Sequence, residues 1–363
     1  MIRIMKPAFC VALWCLLLGM HCASEAAQYR ASVIANTQNG VIACATGISN
    51  SGIVLGSYGG ANPTGFFLWT QAGVAVEIDA TDAYFRGAPN ASGQIIGTRS
   101  NGAGGQYAIV RDPDGTIRQL NYLNASDLGS DVYAVSDSGS AIGYSADESS
   151  ARPVMWDLGT GSVIQIGEAL PGELGGGLGT SAISASGYAA WTYLTNRRYP
   201  DGHTGVVLRS FRLSPSGVVT EFPTPLTGGD WFATDVANDG TVLVSRNYPT
   251  VSYLWNPDGT LTQPAIGVGA MSDSGLMLGT LGGRRVVLGT DGSLSDLPLP
   301  DGATSMRVAD INDDGVVVGW AEFADPNDVR AVVWQPVPEP SAFLALACGL
   351  VGILTQTRKR RSA

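Results

Sequence analysis

One phrase occurs seven times along this 363-residue chain, and nothing else in the sequence limits its fold so severely. The segments TGISNSGIVLGS, RGAPNASGQIIGT, YAVSDSGSAIGY, SAISASGYAAWT, TDVANDGTVLVS, GAMSDSGLMLGT and ADINDDGVVVGW align on Gly52, Gly93, Gly139, Gly187, Gly240, Gly275 and Gly315. These anchors lie 35 to 53 residues apart, about 44 on average. A period of that size marks a supersecondary unit that buries its apolar face only against copies of itself.

Each column of the phrase has a physical reading. Four residues before the anchor stands an apolar residue or proline: Ile48, Pro89, Val135, Ile183, Val236, Met271 and Ile311. It ends a strand facing the core. Three mostly small or polar residues follow, then the glycine, which tolerates positive φ. Small polar residues and glycine between apolar runs are a hairpin signal. A β-prone triplet comes next, such as Ile53-Val54-Leu55 or Val316-Val317-Val318. Five copies then carry a second glycine, Gly56, Gly97, Gly143, Gly279 or Gly319, where Trp191 and Val244 stand in the other two. Glycine inside a strand predicts close approach of a neighbouring backbone.

Downstream of each anchor lies a further strand, for example Phe66 to Trp69 or Ala331 to Trp334, then a turn such as DPDG, NPDG or SPSG, then a short final strand. The unit is therefore about four strands, with no amphipathic helix between them. That predicts an all-β fold, a seven-bladed β-propeller, over an open solenoid or two smaller rings. Uneven spacings favour the ring, because insertions are carried at a propeller's rims. Copy seven stops at Trp334-Gln335-Pro336 with no final strand. The segment Tyr29 to Ile34 is predicted to supply it, which closes the last blade and removes exposed sheet edges.

The repeats resemble the bacterial extracellular HAF repeat family over about residues 45–334. INDDGVVVGW…AVVW and ISNSGIVLGS…FFLW are the best matches, while the family's His-Ala-Phe is not kept. The resemblance implies an exported repeat protein and names no activity.

The chain's start reads as a secretory signal peptide over 1–27: Arg3 and Lys6, an apolar run from Ala8 to Met20, then small residues ending in Ala26-Ala27. A lipoprotein signal at Cys22 is disfavoured by the bulky His21 before it. After cleavage Cys44 alone remains in the repeat domain, 28–336, so no disulfide forms within it and packing must hold the fold. The body has 15 basic residues, all arginine, against 30 acidic ones with Glu339 counted, a balance near −15. Nucleic acid, which needs clustered positive charge, is an unfitting partner.

Candidate chemistry in the body is sparse. His203, the only histidine left after cleavage, stands in the loop YPDGHTG and reads as an ordinary loop residue. One histidine and one cysteine cannot build a Cys/His zinc site, and no Gly-x-Ser-x-Gly elbow marks a nucleophile. Asp235 and Asp310 replace the Ala or Gly of the other five copies and are the candidate carboxylate pair for a glycosidase, provided that the fold brings them together. No catalytic residue is assigned, and no cofactor is required. The one candidate metal site is calcium at Asp310, Asn312 and Asp314, which follow the 1, 3, 5 spacing of calcium loops, although position 12 is Ala321. The competing reading is a turn in which Asp and Asn bond the local backbone. Trp69, Trp156, Trp255 and Trp334, recurring at one strand position, read as inter-blade core ahead of sugar stacking.

The last segment, 337–363, is of another kind. Val337-Pro338-Glu339-Pro340-Ser341 precedes an apolar run from Ala342 to Leu354, and Arg358-Lys359-Arg360-Arg361 follows. The order resembles the PEP-CTERM sorting signal of Gram-negative bacteria. That resemblance implies processing by exosortase near the Pro-Glu-Pro, after a transient stay in the inner membrane through a single apolar helix at 342–357. The basic cluster suits the cytoplasmic side, and the apolar run is short for the ~20 residues of a stable span. Together these features predict a non-enzymatic protein of the cell surface or extracellular matrix, associated with exopolysaccharide or biofilm. A carbohydrate-binding or carbohydrate-active propeller and a calcium-dependent adhesin are the alternatives.

Overall fold

The computed structural model describes residues 28–337, apart from 36–41, 60–62, 72, 74, 81, 103–104, 149, 168–172, 199–203, 224–230 and 248–249. His203, the predicted anchor helix at 342–357 and the basic residues at 358–361 lie outside the described residues, as do Pro338, Glu339, Pro340 and Ser341. Among the described residues there are only strands, so no helix is long and apolar enough to cross a membrane.

The strands form seven four-stranded antiparallel sheets, one per repeat, as the period predicts. Blades 1 to 6 span 43–78, 83–119, 129–165, 173–221, 231–262 and 267–296. Blade 7 takes three strands from 305–337 and its fourth, outermost strand from Gln28–Ala35. The predicted closure is therefore present. Gln28 pairs with Val337 and Ser32 with Val333, and the Tyr29 hydroxyl donates to the Gly315 carbonyl at 2.9 Å. Pro336, on the strand Val329–Val337, lies opposite Tyr29 of the closing strand and beyond the last residue paired on the other side, Trp334, so its missing N–H costs that other ladder nothing.

The anchor turns follow from the glycines. All seven anchors adopt φ between +75° and +88°, a region closed to most side chains. In blade 1 the Gly52 N–H bonds Ser49 O, and Ser49 N bonds Ile53 O, the three-residue hairpin with a bulged glycine. The residue three before each anchor is buried: Ser49, Asn90, Ser136, Ser184, Ala237, Ser272 and Asn312. Where it is Ser or Asn its side chain caps the same turn, as when Asn312 Oδ1 accepts the Val316 N–H at 2.9 Å.

The second glycine keeps the first two strands of a blade in close contact. A methyl group at Gly143 would lie 2.0 Å from Asp131 O, and one at Gly319 would lie 2.1 Å from Arg307 O. At Gly56 the neighbour is instead the Phe67 ring. Blade 4, with Trp191 at this position, carries two register shifts in its first strand, and Trp191 stacks on Phe211 with centroids 5.5 Å apart.

Seven apolar clusters lie one at each inter-blade interface, including that between blades 7 and 1. The tryptophan column is in them: Trp156, Trp255 and Trp334 are fully buried and Trp69 nearly so. Trp156 Nε1 donates to Asn121 O at 2.7 Å and Trp334 Nε1 to Pro298 O at 2.8 Å, each reaching the preceding blade. These rings are core, and none is placed to stack on a sugar. Cys44 is a buried free thiol pushed up to about 11 by burial.

Candidate functional site

The first strands of all seven blades converge on one central chamber of about 220 Å³, at the end of the channel where the anchor turns lie. Its lining includes Asp137, Asp235, Asp273 and Asp310 and no basic side chain. The structure thus brings Asp235 and Asp310 to one cavity. Each sits at a register shift of its strand, which turns its carboxylate toward the next blade.

Both oxygens of each carboxylate are engaged. Asp235 accepts the Met271 N–H of blade 6 and the Val236 N–H of its own strand, both at 2.9 Å. Asp310 accepts the Ile48 N–H of blade 1 at 2.9 Å and the Ile311 N–H at 2.8 Å. Burial, outweighing these bonds, pushes Asp235 up to about 8 and Asp310 up to about 6, and the charge of Asp310 adds to the rise at Asp235. Asp273 is also pushed up to about 6, by burial first and then by the neighbouring aspartates 313, 137 and 310. Burial at the chamber thus shifts Asp235, Asp273 and Asp310 toward the protonated form.

The residue two before each anchor wires the turn tips together across the chamber mouth. Asp137 of blade 3 accepts from Asn50 Nδ2 of blade 1 at 2.9 Å and from the Ala91 N–H of blade 2. Asp273 of blade 6 accepts the Ala185 N–H of blade 4, and Asp313 of blade 7 accepts the Ser274 N–H of blade 6 and donates its own N–H to Asn50 Oδ1. This column was not a sequence candidate, although its run of Asn, Ala and Asp residues was visible.

The candidate calcium residues are not gathered. Asp310 bonds two backbone N–H groups, Asn312 donates to Ser49 O at 3.1 Å while capping its own turn, and Asp314 is exposed. Among the described residues no group of three His, Cys, Asp or Glu side chains is arranged to hold a metal ion.

A second cavity, about 690 Å³, opens between blades 2 and 3. It is lined by Asp82, Tyr84, Thr98, Arg99, Gln106 and Tyr144, among others. Beneath it the Arg86 guanidinium bonds Asp131 at 3.2 Å and reaches Thr98 Oγ1 at 3.5 Å. Gln106 donates to the same Asp131 oxygen at 3.0 Å. Arg86 also lies over the Tyr84 and Tyr133 rings, 5.5 and 5.2 Å from their centroids. Burial raises Asp131 from the usual carboxylate range against the opposing pull of Arg86. Sequence reasoning missed this cluster because counting back from Gly93 puts Arg86 in the column of Ala45 and Val132. In the ladder it lies opposite Ile96, the place that Asp235 and Asp310 take opposite Leu243 and Val318. An arginine among Ala and Val was the available signal.

No protein-family model matches the chain, and no curated protein matches it in sequence. Solved structures do resemble it in fold. Oligogalacturonate lyase in complex with manganese aligns with TM-score 0.52 at 11% identity, over 86% of this chain and 99% of that one. A catalytically inactive virginiamycin B lyase from Staphylococcus aureus with quinupristin aligns with TM-score 0.51 at 13% identity, over 85% and 100%. A puromycin hydrolase variant gives 0.50 at 17% identity, over 78% of this chain and 50% of the other. At these identities the likeness is one of propeller fold alone.

Proposed function

We propose that the chain is an exported, non-catalytic propeller of the cell surface or extracellular matrix, delivered by exosortase sorting and associated with exopolysaccharide or biofilm. The observation that carries this reading is the seam. Among the described residues the ring closes on itself through Gln28 and Val337, and its seven four-stranded sheets are made up within 28–337. Cleavage after Ala27 and near Pro338-Glu339-Pro340 would leave the closed ring whole. The two carboxylates that a hydrolase would use are occupied in joining blades. The test deletes residues 338–363 and follows the body by cell fractionation and surface labelling. Loss of surface delivery, with the ring folded, is expected. Unchanged delivery would remove the sorting role.

One observation favours a second reading, an acid–base carbohydrate hydrolase: Asp235 and Asp310 share a chamber and both have raised pKa values. Release of reducing ends from a polysaccharide, abolished in Asp235→Asn, would establish it. No release retires it.

A further inference from the structure

The cleft between blades 2 and 3 brings two tyrosines, a threonine and a glutamine together. The Tyr84 side chain is 46% exposed, yet its ring is held edge-on to Phe66 with centroids 5.8 Å apart. A presented aromatic face that is already fixed costs little further ordering on binding. Across the cleft Tyr144 is half-buried and lies 6.2 Å from the Tyr133 ring. Between the two tyrosines stand Thr98 and Gln106, backed by Arg86 and Asp131.

One further fact points to a ligand. The volume, about 690 Å³, falls within the range of small-molecule sites.

From this arrangement we infer that the blade 2–3 cleft binds one uncharged pyranose unit of a neutral polysaccharide. The apolar face of the sugar lies on Tyr84, and its hydroxyls meet Gln106 and Thr98, which the Arg86–Asp131 pair holds from beneath. The charge balance selects a neutral ligand over an acidic one. Arg99 and Asp82 both line the cleft, and Arg86 beneath it is neutralised by Asp131, so no net positive charge awaits a carboxylate. The body's negative balance also repels a polyanion. The inference rests on the ring being a non-catalytic binder and is independent of how the ring is delivered.

The full chain, titrated calorimetrically with glucan, mannan, galactan and galacturonan oligosaccharides, tests it. At least one neutral oligosaccharide is expected to bind. Tyr84→Ala should weaken that binding about tenfold, since stacking area is lost, and Tyr84→Phe should retain it. Ser100→Trp, which crowds the cleft from its exposed rim, should also weaken it, and provides a second variant should Tyr84→Ala fold poorly. Binding of the galacturonan alone, no binding of any neutral oligosaccharide, or full binding by well-folded Tyr84→Ala and Ser100→Trp would each overturn the assignment. Reducing ends released during titration would overturn the non-catalytic reading instead, and leave the cleft standing if Tyr84→Ala still binds weakly.

Discussion

Asp310 of blade 7 accepts the backbone N–H of Ile48 in blade 1 at 2.9 Å, across the interface where the last repeat meets the first. Asp235 makes the same bond from blade 5 to Met271 of blade 6. Two of the ring's joints therefore hang on half-buried carboxyl groups that line the central chamber.

Stability should depend on pH through these joints. Burial pushes Asp235 to about 8 and both Asp310 and Asp273 to about 6, whereas in the unfolded chain all three titrate near ~4. Between those limits the folded state binds more protons than the unfolded one, so stability falls as pH rises. Asp112, Asp114, Asp157 and Asp258 are shifted down by hydrogen bonds and oppose acidification below that window. The melting temperature is thus expected to peak near pH ~4–5 and to decline toward pH ~8. Asp235→Asn should flatten the decline. A flat profile for the unaltered chain would contradict the buried-acid account.

The two glycine columns should respond differently to alanine. At Gly319 the added methyl would meet Arg307 O at 2.1 Å, so backbone must move, with a loss of roughly 1–3 kcal/mol or more. At Gly139 the space is open but φ is +82°, so the cost is only the strain of a left-handed residue, about 1 kcal/mol. Denaturant unfolding of the two variants checks the order.

Arg212 is buried with no carboxylate among its hydrogen-bond acceptors. Its guanidinium donates to the carbonyls of Gly240, Trp255, Asn256 and Pro257 and lies 4.4 Å over the Trp255 ring. Lysine cannot reproduce that planar fork. Arg212→Lys should cost roughly 2–3 kcal/mol by the lost charged hydrogen bonds, read as a lower denaturation midpoint.

Removing Gln28–Ala35 should leave Val329–Val337 as an exposed sheet edge. The truncated chain is expected to self-associate, which light scattering after size-exclusion chromatography would detect. A stable, monodisperse monomer would mean that closure by this strand is dispensable.

Much of the fold was legible because its determinants are local. A glycine that must take positive φ, a small polar residue that caps its own turn and alternating apolar residues leave their marks within a dozen positions. Even the missing strand of copy seven was readable, since Trp334-Gln335-Pro336 ends one strand short. The binding cleft was not. Tyr84, Gln106, Asp131 and Tyr144 come from four strands of two blades and share no spacing.

The unit and the number of blades are written in the sequence, because each depends on contacts between neighbours along the chain, whereas the closure shows there only as a strand missing from copy seven, its partners Gln28–Ala35 and Val329–Val337 lying at opposite ends of the repeat domain in sequence. The partners of the acids emerge only from the folded ring. Asp235 and Asp310 accept backbone N–H groups of the next blade from donors 36 and 262 residues away in sequence, a separation that no local pattern encodes. Register shifts aim those side chains across the blade gap, and burial then raises their pKa values.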